Sequence, residues 1–264
     1  MKSAIAIAAH PDDIEFMMAG TLLLLKKAGY EIHYMNMATG NLGGTEYSGD
    51  ELKKMRLEEA KAAAQILGAH FHPPICDDLE IFYDAQKLKQ VAAVIREVKP
   101  TIVLTHSPED YMEDHVNTGR LAVTAAFARG MTNFVTDPLQ PAGNYDCTVY
   151  HSLPHTLRDN FRKRIVPGAF VNTTSMHAKK LEALKAHKSQ QNWLDVSQKM
   201  NSYLQMMEDV SLKVGEMSKK FQHAEGWRRH LHVGFCAEDA DPLKDLGDDY
   251  LINKEYEDKL DVDI

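Results

Sequence analysis

Apolar and polar positions come in blocks along the first half of the chain. Residues 4–9 (Ala-Ile-Ala-Ile-Ala-Ala) are apolar without a break, the pattern of a strand buried on both faces. Residues 14–27 have helical periodicity and stop at Gly29. Residues 31–37 read as a second strand and residues 40–44 as a glycine-rich loop. Ser48 or Asp50 is placed to cap a helix that runs to about Leu67 and ends at Gly68. A third strand is predicted over 69–73, a helix over 86–98 closed by Pro100, a fourth strand over 101–105 and a helix over 114–129. Strand and helix alternate, which predicts an α/β fold: a Rossmann-like, mostly parallel sheet with helices on both faces. The second half is less regular. It predicts a late strand at 148–151, helices at 176–187 and 196–221 (a helical C-terminal segment) and a last strand at 230–235.

Composition narrows this little. With 264 residues, 44% of them hydrophobic and 26% charged, the chain can bury a core without disulfides, and a single domain over 1–264 is expected. The net charge of −8 leaves no basic footprint, so nucleic acid is not an expected partner. Part of the acidic excess lies beyond Asp239, where a solvated, mobile tail is expected. Cys76, Cys147 and Cys236 are widely spaced, as free thiols in a reducing cytoplasm would be. His10-Pro11-Asp12-Asp13 interrupts the apolar N-terminus too early for a signal segment, and no run is long enough to span a membrane. A soluble cytoplasmic protein is the expectation.

Two polar clusters follow strands: His10-Pro11-Asp12-Asp13 after the first, and His106 to Asp110 with Asp114-His115 after the fourth. Ligands of open α/β sheets bind beyond the carboxyl ends of strands. Catalytic zinc takes three His, Asp or Glu ligands and keeps a position for water, whose proton a neighbouring carboxylate accepts. His10, Asp13 and His115 suit the ligand roles and Asp12 the base. The same residues also suit plainer roles: Asp12, Asp13 and Asp114 as helix caps, His115 as a surface helical histidine.

The run Ala9-His10-Pro11-Asp12-Asp13-Ile14-Glu15-Phe16, followed by Ala19-Gly20-Thr21-Leu22, resembles the opening motif of the PIG-L/LmbE-like family of zinc-dependent N-acetylglucosaminyl de-N-acetylases. Thr39-Gly40, Arg56-Leu57-Glu58-Glu59-Ala60, Leu67-Gly68 and Asp110-Tyr111-Met112-Glu113-Asp114-His115 continue it in order, and His187-Lys188-Ser189-Gln190 more weakly. The resemblance implies a Zn2+ ion on His10, Asp13 and His115, Asp12 as general base and Asp114 as an orienting carboxylate. It implies substrate contacts at Arg56 and Asp78, and a small N-acyl amino sugar as substrate. For Arg56 the alternative is a solvated arginine pairing with Glu58 or Glu59. The rival readings are a metal-dependent hydrolase of another bond and a sugar-binding protein that has lost turnover.

One departure stands out. Relatives carry His-Pro-Asp-His where this chain has Met112-Glu113-Asp114-His115, and a thioether cannot donate a proton. His106 is expected either to take over that histidine's role or to hold the Ser107-Pro108 turn; His177 and His187 are further candidates. Gly40-Asn41-Leu42-Gly43-Gly44 lacks a phosphate-loop ending. Met200, Met206, Met207 and Met217 with Tyr203 and Leu204 form an apolar stripe, read as core or as the interface of a homo-oligomer. Trp227-Arg228-Arg229-His230 reads as a surface cluster.

Overall fold

The fold is built outward from β1 (Ser3–Ala8), all six residues of which are buried. The computed structural model describes residues 2–191 and 203–260. Ala4, Ala6 and Ala8 pack on one side of the sheet with Leu22, Leu25 and Tyr34; Ile5 and Ile7 pack on the other with Val91, Ile95 and Leu121. That two-way split is the period-two geometry of a strand covered by helices on both faces. β2 (Glu31–Asn36), β3 (His70–His72), β4 (Ile102–Thr105) and β5 (Thr148–Ser152) join β1 in the parallel order β3-β2-β1-β4-β5. The chain leaves β1 on one side and returns on the other, so a crevice opens between the ends of β1 and β4.

Helix α3 (Gly49–Leu67) begins at Ser48 with a reciprocal capping box to Glu51 and ends on left-handed Gly68, as predicted. α4 (Ala85–Val98) is capped by Asp84. The helix predicted over 14–27 is two: α1 (Asp13–Met17) and α2 (Ala19–Lys27), parted at Met18. A continuous helix would bond the amides of Gly20 and Thr21 to carbonyls of the preceding turn. Here both donate at 2.8 Å to the buried carboxylate of Glu225, which starts a new helix. α5 (Glu113–Phe127) starts after Met112 with no side-chain cap, so Asp114 is not a capping residue.

The second half departs further from expectation. β6 (Ala169–Asn172), β7 (Ala224–Arg229) and β8 (Tyr250–Ile252) extend the sheet antiparallel, in the order β5-β7-β6-β8. The strand expected at 230–235 is displaced: β7 ends at Arg229, and the Phe235 amide bonds back to His232 in a turn. α6 (His177–Leu184) and α7 (Tyr203–Ser218) are the helices seen where 176–187 and 196–221 were read. Residues 192–202, Met200 among them, lie outside the described residues. Tyr203 and Met207 are buried in the core, with Leu204, Met206 and Met217 packed against it, which makes that stripe core. The acidic stretch expected to be a solvated tail is folded over its described residues, 239–260. Asp241 accepts hydrogen bonds from Tyr150 and Tyr250, Asp245 from Tyr30 and Lys2, and β8 pairs with β6 before the short helix α8 (Lys254–Glu257). Its carboxylates serve as acceptors for buried tyrosines, a role charge counting does not reveal. No helix among the described residues is long and apolar enough to cross a membrane.

Candidate active site

β1 delivers His10, Pro11 and Asp12 to the crevice, and α1 starts at once with Asp13. Asp12 takes a left-handed backbone, φ 109°, which is uncommon outside glycine and turns the two neighbouring carboxylates apart. Asp13 faces imidazoles. Its Oδ2 lies 3.4 Å from His10 Nδ1 and 3.3 Å from His106 Nε2; its Oδ1 lies 3.4 Å from both His115 Nε2 and His155 Nε2. Asp12 faces the other way. Its Oδ2 accepts the Tyr203 hydroxyl at 2.7 Å and lies 3.7 Å from the Arg56 guanidinium.

The predicted ligands are brought together: donor atoms of His10, Asp13 and His115 lie within 4.8 Å of one another. Each histidine is held from its far side. Asp114 bonds His10 Nε2 at 3.0 Å and also accepts the Leu79 amide; Asp110 bonds His115 Nδ1 at 3.0 Å and accepts the Met112 amide. Asp114 therefore orients His10, across the crevice, and not the adjacent His115, whose orienting partner is Asp110. This leaves His10 Nδ1 and His115 Nε2 toward Asp13, and His115 Nε2 is buried without a hydrogen-bond partner. Histidines fixed by carboxylates behind and free in front are the arrangement of metal ligands.

The electrostatics agree. Burial pulls the His10 imidazole down, but hydrogen bonds to Asp114 and Asp13 lift it to about 9. At His115 burial is likewise outweighed, first by the Asp13 charge and then by the Asp110 bond, and the ring is raised to about 10. Burial alone would raise Asp13; the His115 charge first, and the His10 and His106 imidazoles beside it, hold it well below the usual carboxylate range. The pocket calls for positive charge, which protons or a cation can supply. Burial pushes Asp12 up to about 6, helped by Asp13 and opposed by Arg56, His187 and Tyr203.

The remaining predicted residues have other surroundings. His106 does not line the crevice rim. It is buried, stacked on His115 with ring centroids 4.0 Å apart, and its Nε2 accepts the Ala9 amide at 2.9 Å. Its proton is therefore on Nδ1, and it props the His115 ring and the end of β1 without holding the Ser107-Pro108 turn. Arg56 is buried too, donating to the carbonyls of Pro11 and Gly40, so it is not a solvated partner of Glu58 or Glu59. Gly40 and Gly43 pack against it so closely that a Cβ at either would come within 2.5 Å of the guanidinium group. Asp78 accepts the amides of Gly40 and Leu42 and shapes that loop. His187 is buried 3.4 Å from Glu15, and His177 pairs with Glu208 away from the crevice.

His155 and Tyr203 went unrecognised in the sequence. His155 follows β5, the next parallel strand, and stacks on Phe16 with centroids 5.0 Å apart; its Nε2 is buried, unpartnered and aimed at Asp13. The signal that would have found it is its place at the carboxyl end of a third parallel strand. Tyr203 gives no local signal. Beside His155, a groove of ≈ 390 Å³ is lined by Thr156, Leu157, Met206, Asp209, Val210 and Lys213.

Comparison with known proteins gives a consistent assignment. Residues 5–126 match the family model described as GlcNAc-PI de-N-acetylase. Diacetylchitobiose deacetylase of Thermococcus kodakarensis is 32% identical over 235 residues, covering 86% of this chain and 83% of the relative. The 4-carboxy-2-hydroxymuconate hydratase of Pseudomonas putida superposes with a TM-score of 0.71 at 27% identity, over 87% of this chain and 96% of that one. N,N'-diacetylchitobiose deacetylase of Pyrococcus horikoshii shares the fold, with a TM-score of 0.72 at 24% identity over 92% and 88% of the two chains. The identity and near-full-length coverage of the Thermococcus relative, together with the family match over the segments that carry His10, Asp13 and His115, mean that this chain belongs to the PIG-L (GlcNAc-PI de-N-acetylase) family.

Proposed function

We propose that the chain is a metal-dependent amidohydrolase that removes the N-acetyl group from a small N-acetylated amino sugar, with zinc as its native metal. The observation that carries this reading is the division of labour between adjacent carboxylates: Asp13 among imidazoles, Asp12 turned toward Tyr203 and Arg56. A divalent cation on His10, Asp13 and His115 supplies, when bound, a Lewis acid and a water of lowered pKa. Asp12, at about 6, is ionised at neutral pH yet gives a proton back readily, the range a general base needs. It takes the water proton as the C–O bond forms and returns it to nitrogen as the C–N bond breaks. Water and amide thus become acetate and a free amine. Tyr203 and Arg56 hold the Asp12 carboxylate in place for both transfers. His155, which burial draws down to about 4, is neutral and donates its ring N–H toward the carbonyl oxygen, the task left open by Met112. Asp78 and Arg56 serve the substrate by shaping the loop at Gly40–Leu42. The three free thiols fit a reducing cytoplasm.

The likeness to the muconate hydratase favours a second reading, addition of water to an activated double bond by the same base. The groove argues for the sugar. Among its described lining residues Lys213 is the one Lys or Arg, and Asp209 opposes it, which suits a neutral glycoside better than a polycarboxylate. The test is amine release from N,N'-diacetylchitobiose and N-acetylglucosamine, with zinc and after chelation, alongside loss of absorbance from a carboxylated muconate. Zinc-dependent amine release is expected, lowered in His155→Gln with metal content unchanged. Loss of muconate absorbance without amine release would overturn the reading.

A further inference from the structure

A second cluster of metal-binding side chains lies away from the crevice, where α6, α7 and β7 meet. His177 is the first residue of α6, Glu208 lies in the second turn of α7, and His223 immediately precedes β7. Both imidazoles present Nε2 to the one carboxylate: His223 Nε2 lies 2.9 Å from Glu208 Oε1, and His177 Nε2 contacts Oε2. The rings stack with centroids 3.9 Å apart and planes 16° from parallel, which sets the two nitrogens side by side. The three donor atoms all lie within 4.8 Å of one another, a bound that His10, Asp13 and His115 also meet. We propose that His177, Glu208 and His223 form a second divalent-metal site that clips α6, α7 and β7 together.

The donor set selects the cation. Two imidazoles and one carboxylate favour zinc, cobalt, nickel or copper over magnesium or calcium, which take oxygen ligands. Lys180 lies three residues along α6 from His177, but its ammonium is taken up by Glu225 at 2.8 Å, so it does not compete for Glu208. Glu208 remains partly exposed, which provides an entry path and room for water in the remaining coordination positions.

The surroundings also set the order of affinity. In the crevice, His10 and His115 are each oriented from behind by an aspartate. At the second site Nδ1 of His177 and Nδ1 of His223 are buried with no hydrogen-bond partner. An imidazole bound through Nε2 carries its proton on Nδ1, and orienting partners there raise metal affinity about 10–100-fold. The second site therefore binds the same metal more weakly than the first. The cation it holds fastens the helix that carries Tyr203, at the cost of no residue near Asp12.

Titration of metal-stripped protein with Co2+ or Zn2+, followed by calorimetry and by metal analysis of the complex, tests this directly. Two equivalents per chain are expected, one tight and one at least about 10-fold weaker. Glu208→Gln keeps the shape, with an oxygen to accept from one histidine and an NH2 to donate to the unprotonated Nε2 of the other, so it should fold, as its circular dichroism will show, and lose the weaker equivalent alone. His115→Ala should lose the tight equivalent and keep the weaker one, along with a rise in melting temperature on adding metal that His115→Ala/Glu208→Gln lacks. Saturation of the wild type at one equivalent would overturn the proposal, leaving a carboxylate-bridged histidine pair. A second equivalent that persists unchanged in Glu208→Gln would overturn it equally.

Discussion

Glu225→Gln is the sharpest test of how the second half of the chain supports the crevice. The Glu225 carboxylate is buried in β7 and takes four hydrogen bonds: from the amides of Gly20 and Thr21, the Thr21 hydroxyl and the Lys180 ammonium, all at 2.7–2.8 Å. Lys180 is 0% exposed, and its other neighbour is Ser211 Oγ at 3.4 Å. Oε1 serves both the Gly20 amide and the ammonium, and Oε2 both Thr21 donors, so the glutamine variant turns an NH2 toward one of these pairs and in either orientation leaves the buried ammonium without a counter-charge. Removing one partner of such a pair costs about 3–5 kcal/mol, roughly a fifth or more of the stability of an ordinary domain. Lys180→Met costs less, because the carboxylate keeps three donors. The double variant Lys180→Met/Glu225→Gln no longer buries an unpaired charge, so it should recover about 2 kcal/mol or more relative to the sum of the single changes. Trp227, fully buried and bonded through Nε1 to Thr21 Oγ1 at 3.0 Å, reports the region by fluorescence during urea unfolding at constant metal concentration. A Glu225→Gln loss under about 1 kcal/mol, or strict additivity in the double variant, would refute the argument.

Three further outcomes follow from the site. His10→Ala and His115→Ala should each lose the tightly held metal by elemental analysis; full occupancy in either would dismiss the ligand assignment. Asp12→Asn should keep metal and lose turnover by about 10²–10⁴-fold, whereas loss of metal would mean the two aspartates had exchanged roles. Burial draws His151 down to about 4, although the bond it donates to the His106 carbonyl opposes this. Its folded pKa is below the unfolded value of about 6.5, so the unfolded chain binds the extra proton first. Stability should fall as pH drops from about 6.5 to 4, by roughly 3 kcal/mol for this group, and His151→Gln should flatten that slope in urea melts. An identical slope in the variant would exclude His151 as the cause.

The parallel half of the sheet was legible because its determinants are local. An unbroken apolar strand, a capping box at Ser48 and a glycine after Leu67 each act within a few residues of their own position. That His10, Asp13 and His115 would meet was legible for the same reason, since parallel strands present their carboxyl ends to one crevice. The antiparallel half was not. β6, β7 and β8 are short, and what makes each a strand is its neighbour in the sheet, up to 83 residues away in the β6–β8 pairing of Ala169 with Ile252. The break between α1 and α2 is dictated by a carboxylate some 205 residues downstream. The same holds for the finer roles in the crevice. Sequence order put Asp114 beside His115, but a helix projects adjacent residues about 100° apart, so Asp114 reaches across to His10 and Asp110 turns back to His115. His106, His155 and Tyr203 are a histidine after β4, a histidine after β5 and a tyrosine on a distant helix. Which of them props a ring, which faces Asp13 and which holds Asp12 is decided by direction and burial, and those quantities exist only once the chain has folded.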